Sequence, residues 1–272
     1  MTDRHAHIPA PSASVQGGMC CPAPGQVVFA GSGPGDAELL TLKALKALQA
    51  ADVILHDRLV SDEVLELAGE QAVLENVGKE GFGPQVSQDE INARLVAHAA
   101  EGKRVVRLKA GDPAIFARHD EEITALEAAG LPYVIVPGIT AASAAAASIG
   151  QSLTRRGRNT SVRFVTGHDM KGFADQDWAA LAQPDAVTAV YMGKKSARFI
   201  QGRMLMHGAH RATPVTVLEN ASRADQRVLE TTLGQLADDL AAAAFDGPAL
   251  TFLGLAPRKA AAALTDFKME LA

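Results

Sequence analysis

Short apolar runs, each followed by a stretch whose apolar positions recur at helical spacing, repeat along the first half of the chain. Runs at 26–30, 52–55, 104–108 and 133–136 precede helical patterns at 39–50, 61–68, 119–129 and 140–149. This alternation predicts βα units and therefore a parallel sheet with helices on both faces. Beyond about residue 150 the pattern changes. Runs at 161–166, 186–191, 214–219 and 249–253 accompany helical patterns near 195–207 and 232–243, which predicts a second α/β unit with its own sheet. Residues 225–230 and those near 160 are candidates for antiparallel strands. Pro137-Gly138 marks the break. The expected fold is α/β, with two α/β/α domains over 26–138 and 139–260 and a cofactor and substrate cleft between them. Tails over 1–25 and 261–272 flank them, the first proline-rich, without periodicity and expected to be disordered. No internal repeat or coiled-coil heptad is visible.

Composition removes several functions. Hydrophobic residues make up 47% of the chain and aromatic residues only 4%, a balance that suits helices packed on buried parallel strands. No apolar run approaches the roughly 20 residues that cross a bilayer, so no membrane partner is expected. The net charge of −5 argues against general nucleic-acid binding, which needs a basic domain. Cys20 and Cys21 stand side by side in the N-terminal tail, a spacing that suits neither a disulfide framework nor a metal site and fits a reducing cytoplasm. Two basic clusters depart from the average: Arg104, Arg107 and Lys109, and Arg155, Arg156, Arg158 and Arg163. A solvated surface is the plain explanation of both, and a polyanionic ligand the sharper one.

The apolar run at 27–30 breaks into Gly31-Ser32-Gly33-Pro34-Gly35-Asp36 before the helical pattern resumes. Strand, glycine turn and helix make a ligand cradle at the end of a parallel sheet. A dinucleotide fingerprint wants a third small residue where Asp36 stands, because the helix start there faces a pyrophosphate. A carboxylate repels phosphate, so the loop suits a neutral or cationic ligand such as a sulfonium cofactor. Helix capping by Asp36 or Thr41 explains the same residues without a ligand.

A second signature runs from Arg107 through Lys109-Ala110-Gly111-Asp112-Pro113 to Arg118-His119-Asp120-Glu121-Glu122. With HDRLVS at 56–61, VPGITAASAAAA at 136–147, QSLTRRG at 151–157, TGH at 166–168, YMG at 191–193 and PVTVLENASRADQR at 214–227, the chain closely resembles the tetrapyrrole methylase family, and within it the uroporphyrinogen-III C-methyltransferase branch. The resemblance implies two α/β domains, a homodimer, and S-adenosylmethionine held in the cleft and released as S-adenosylhomocysteine. The implied reaction is two successive methyl transfers to uroporphyrinogen III, giving precorrin-2 for sirohaem, cobalamin or haem d1. It places cofactor contacts on Pro34, Ala110, Gly111, Asp112, Ile115, Thr140, Ala141, Met192, Ala221 and Ala249. Substrate contacts fall on Asp57, Arg118, Arg156 and Met192, and catalytic roles on Arg118, Glu121 and Arg156.

The residue chemistry agrees with those roles. S-adenosylmethionine already carries an activated methyl group, so the protein's task is mostly placement. A carboxylate-rich substrate calls for guanidinium groups, which grip carboxylates through two parallel hydrogen bonds. Arginine is a poor base, with a pKa above about 12; Arg118 is therefore read as a clamp, and Glu121, a water or a substrate carboxylate takes the proton lost after methylation. Asp57 follows a strand end, where a turn or cap role competes with a cleft role. Three positions depart from the family pattern: Ala110 and His119-Asp120 replace glycines, and Arg155 replaces a histidine. Consecutive residues on a helix point in different directions, so His119, Asp120, Glu121 and Glu122 are not read as a metal site and no metal is expected. The rival readings are a methyltransferase for a later corrin precursor, a nicotinamide-dependent dehydrogenase and a catalytically silent ligand carrier.

Overall fold

The computed structural model describes residues 21–78, 86–169 and 172–258; most of the N-terminal tail, with Cys20, and the whole tail 261–272 lie outside them. The first unit contains β1 (Val27–Gly31), α1 (Leu42–Ala50), β2 (Val53–His56), α2 (Asp62–Leu65), β3 (Val73–Asn76), α3 (Gln88–Ala100), β4 (Val105–Lys109), α4 (His119–Ala128) and β5 (Tyr133–Val136). Its strands form a wholly parallel sheet in the order β3-β2-β4-β1-β5. Side chains alternate across it. Val28, Ala30, Ile54, Val106 and Leu108 meet Ala44, Ala47 and Leu48 of α1 and Val64 of α2. The other face sets Val27, Phe29, Val53, Leu55 and Val105 against Ile91, Leu95 and Ala99 of α3 and Leu126 of α4. Each fully buried Leu, Ile or Val adds about 1.5–3 kcal/mol of transfer free energy.

The second unit contains α5 (Ala141–Ser148), β6 (Arg163–Thr166), the short hairpin β7 (His168–Asp169) and β8 (Gly172–Phe173), α6 (Trp178–Leu181), β9 (Thr188–Tyr191), α7 (Ala197–Met206), β10 (Pro214–Glu219), β11 (Arg227–Thr232), α8 (Leu236–Ala243) and β12 (Ala249–Leu253). Its sheet, β11-β10-β12-β9-β6, is mixed: β6 runs parallel to β9 and the other pairs are antiparallel. Residues 225–230 thus fall largely in an antiparallel strand as expected, whereas the strand that follows residue 160 is parallel. Helix α5 continues the βα rhythm in sequence, yet its Ala142, Ala145, Ala146 and Ile149 pack on Ala189, Leu218, Leu250 and Phe252 of the second sheet.

The topology selects one edge of the first sheet. Adjacent strands β1 and β4 send their connections in opposite directions, β1 toward β2 and β4 toward β5. That is the switch point at which an open parallel sheet leaves a crevice beyond its carboxyl ends.

Candidate active site

Four glycines close the loops at this switch point. Gly33 and Gly111 pair as an isolated bridge, with Gly111 N donating to Gly33 O at 2.8 Å and Gly33 N to Gly111 O at 3.2 Å. A Cβ on Gly31 would lie 2.6 Å from both Gly111 O and Gly138 Cα, and one on Gly138 would lie 2.2 Å from Gly111 O. Backbone atoms this close admit no side chain. Gly111 (φ 71°) differs, since a Cβ there would meet nothing within 4 Å, so one face of its loop stays open. Asp112 ties the loops together: Oδ1 accepts from Ala114 N at 2.7 Å and Oδ2 from Gly138 N at 3.1 Å. Ile115 N donates to Asp112 O at 3.1 Å. Ala110 keeps a negative φ, so its methyl in place of hydrogen strains nothing.

Both capping roles weighed for the first loop are present. Asp36 accepts from Glu38 N at 2.8 Å and caps a 3-10 turn at Ala37–Leu39; Thr41 accepts from Ala44 N at 3.2 Å and caps α1. Helix α1 therefore starts at Leu42, several residues beyond the glycine turn, and its amino terminus is not the wall of the cradle that a pyrophosphate needs.

The second unit leans on the same loops. Asp36 N donates to Ser222 Oγ at 3.3 Å, beside buried Ala221, and Arg223 Nη2 donates to Leu59 O at 2.6 Å. Arg223 also lies over Gly35, where a Cβ would come 2.5 Å from its Nε. Across the cleft the Phe116 ring lies 5.2 Å from that of Tyr191. Tyr191 bonds to Thr140 Oγ1 and accepts from Ala142 N at 3.2 Å, and burial pushes its phenol pKa up. Met192 follows with φ 53° and is half exposed. Phe116 (φ 52°), Arg118 (φ 54°), Met192, Asn220 (φ 51°) and Ser222 (φ 71°) share the left-handed region, which costs non-glycine residues about 1–3 kcal/mol each and clusters at functional sites. Ala249 opens β12 in register with Glu219.

Arg118 and Glu121 face each other. Arg118 Nε and Nη2 donate to the two Glu121 oxygens at 2.7 and 2.8 Å, with both side chains 49% exposed. The hydrogen bond from Arg118 holds the Glu121 carboxyl below its ordinary pKa. His119 and Asp120 are simply the first residues of α4. Arg156 is exposed on the 151–160 loop and makes no hydrogen bond among the described residues. Its neighbour Arg158 instead staples that loop through Ser152 O at 2.8 Å and Asn159 Oδ1 at 2.9 Å.

The basic cluster at 104–109 is not a solvated surface. Arg104 grips Asp52 at the sheet's other end, whereas Arg107 and Lys109 are both 2% exposed inside the layer between sheet and helices. The physical reason is strand alternation: a charged residue on the inward face of a central strand is buried whatever its polarity. Sequence reasoning gave no role to Tyr191, Phe116 or Arg223 and weighed Glu122 only as a metal ligand; the signal for its burial was the matching pair of cations on β4.

The family model for tetrapyrrole (corrin/porphyrin) methylases matches residues 26–237. The chain belongs to this family. A siroheme synthase of Edwardsiella ictaluri is 50% identical over 212 residues, covering 78% of this chain and 46% of the relative. One of Methylococcus capsulatus is 47% identical over 234 residues, covering 86% and 49%. The chain spans about half the length of the curated relatives it matches. Among solved structures, uroporphyrin-III C-methyltransferase from Thermus thermophilus, complexed with S-adenyl homocysteine, is 36% identical with a TM-score of 0.72, covering 84% of this methylase and 97% of that chain. A cobalt precorrin-4 methyltransferase is 27% identical with a TM-score of 0.76, covering 85% and 95%.

Proposed function

We propose that this methylase is an S-adenosylmethionine-dependent C-methyltransferase acting on uroporphyrinogen III, with two successive transfers to pyrrole carbons giving precorrin-2 and two S-adenosylhomocysteine. The observation that carries the reading is the glycine junction of Gly31, Gly33, Gly111 and Gly138 at the switch point. It offers close backbone approach without a helix amino terminus, which suits a cationic nucleoside ligand better than a pyrophosphate. Domains over 26–138 and 139–260 would then enclose the cleft.

The residues fit that ligand. Pro34, Ala110, Gly111, Asp112 and Ile115 would hold it from the first unit, and Thr140, Ala141, Met192, Ala221 and Ala249 from the second. When bound, S-adenosylmethionine supplies a methyl group already activated for transfer. The rest of the work belongs to the chain. Arg118 exchanges its bond to Glu121 for a substrate carboxylate; a half-exposed pair of this kind is worth only about 0.2–1 kcal/mol, so the exchange is cheap. Glu121, freed from the hydrogen bond that keeps its pKa low, becomes the better base and takes the proton lost from the methylated carbon. Arg156 and Asp57 complete the substrate contacts, Asp57 at the carboxyl end of β2. A later corrin precursor is the second reading, favoured by the TM-score of 0.76 to the cobalt precorrin-4 enzyme.

The test is an anaerobic incubation with uroporphyrinogen III and methyl-labelled S-adenosylmethionine, counting labelled methyls per tetrapyrrole. Two are expected. One means that the second transfer is arrested, and none, with S-adenosylhomocysteine still bound, moves the assignment to a later corrin or to a silent carrier.

A further inference from the structure

Strand β4 carries two cations where an apolar layer would be expected. Arg107 lies in register between Phe29 of β1 and Leu55 of β2, and its neighbours on that face include Val53, Val105 and Leu95. Replacing a buried ionic group as a whole by hydrophobic residues of similar volume is often neutral or stabilising, so stability alone does not call for one here. The cations are matched instead by two carboxylates. Lys109 Nζ donates to both oxygens of Glu122 at 2.9 and 3.1 Å, Arg107 Nε donates to Glu122 Oε1 at 3.1 Å, and Gln88 Nε2 donates to the same oxygen at 3.2 Å. Glu122 is 1% exposed. Burial alone would lower the pKa of Arg107, but the carboxylates of Asp57 and Glu122 outweigh it and raise it; Lys109, buried and sharing Glu122 with Arg107, is pushed down.

The guanidinium has no freedom left. Its Nη1 donates to Leu55 O at 3.3 Å and Leu108 O at 3.2 Å, and its Nη2 donates to Asp57 Oδ1 at 2.5 Å. Asp57 is the partly exposed carboxylate of the network: its side chain is 30% exposed and its amide donates to Leu108 O at 3.2 Å, at the carboxyl ends of β2 and β4. A fork fixed on three sides presents a carboxylate in one orientation, the kind of preorganisation that a substrate contact requires.

We propose that Arg107 is a positioning residue for Asp57, with Glu122 and Lys109 as the buried anchor that keeps its guanidinium in place. The inference rests on the tetrapyrrole reading, in which Asp57 touches the substrate. The test is a double-mutant cycle of Arg107→Gln and Asp57→Asn, with kcat and KM for methyl transfer and with S-adenosylhomocysteine affinity by calorimetry. Arg107→Gln is expected to lower kcat/KM about 100-fold and to change the S-adenosylhomocysteine Kd by no more than about twofold. In the Asp57→Asn background the same replacement should cost less than about twofold, because its target is already gone. If the two losses multiply, or if Arg107→Gln leaves kcat/KM near the wild-type value, the positioning role is wrong. Should Arg107→Gln not fold, Arg107→Lys, which keeps the buried charge without the fork, takes its place in the cycle with the same two outcomes. A wild-type protein that binds S-adenosylhomocysteine but methylates no tetrapyrrole overturns the functional reading, and this inference with it.

Discussion

In the proposed function Arg118 is a substrate clamp, and in the structure its fork is closed on Glu121. Its two hydrogen bonds to Glu121 reproduce the bidentate geometry that a substrate carboxylate would offer. Arg118→Lys keeps the charge but gives up the fork, and a hydrogen bond to a charged group is worth about 1.5–3 kcal/mol. We expect kcat/KM for the tetrapyrrole to fall roughly thirtyfold, equivalent to about 2 kcal/mol, with S-adenosylhomocysteine affinity unchanged by titration calorimetry; an unimpaired lysine variant would remove the bidentate role. At this scale the sequence is informative about residue types and poor on pairings. The family resemblance brought Arg118, Glu121 and Asp112 into view. That Arg118 and Glu121 hold each other, and that Asp112 is engaged by Ala114 N and Gly138 N, depends on loop paths that no local pattern encodes.

Among the elements, the loop after β5 leaves no room for a side chain. A methyl on Gly138 would meet Gly111 O at 2.2 Å and Gly31 Cα at 2.8 Å, and all three positions are backbone that cannot rotate away. Overpacking of this kind costs about 1–3 kcal/mol. Gly138→Ala should therefore lower the melting temperature and weaken S-adenosylhomocysteine binding together, whereas the open site at Gly111 strains a substituent only through its φ. The strands of the first sheet were legible because each is a short apolar run bounded by turn residues, but one strand and one helix of that unit escaped the reading. Edge strand β3 is too exposed to read as buried. Helix α3 does carry Ile91, Leu95 and Ala99 at helical spacing, but His98 and the alanines around them blur its contrast. Composition alone does not choose the partner of α5, since a helix rich in alanine fits either sheet equally well; the expected break at Pro137-Gly138 put it in the second unit, and it packs on the second sheet.

At the level of the whole molecule, contacts between the two units among the described residues include Asp36 with Ser222, Arg223 with Leu59 and Gly35, and Phe116 with Tyr191. Arg223 makes the shortest of the hydrogen bonds, so Arg223→Ala should loosen one unit from the other. Scanning calorimetry is expected to show the single unfolding transition broaden or split, with S-adenosylhomocysteine narrowing it again; one sharp transition in the variant would mean that the units are coupled elsewhere. The chain's apolar periodicity by itself determined that two α/β units form. Its glycine and arginine motifs determined the family. Only the tertiary structure decided which loops meet at the switch point, which charges are buried and which helix serves which sheet. The physical reason is that periodicity is a property of neighbours along the chain, whereas close approach, charge matching and helix docking join residues on separate elements, from Lys109 and Glu122 to Asp36 and Ser222.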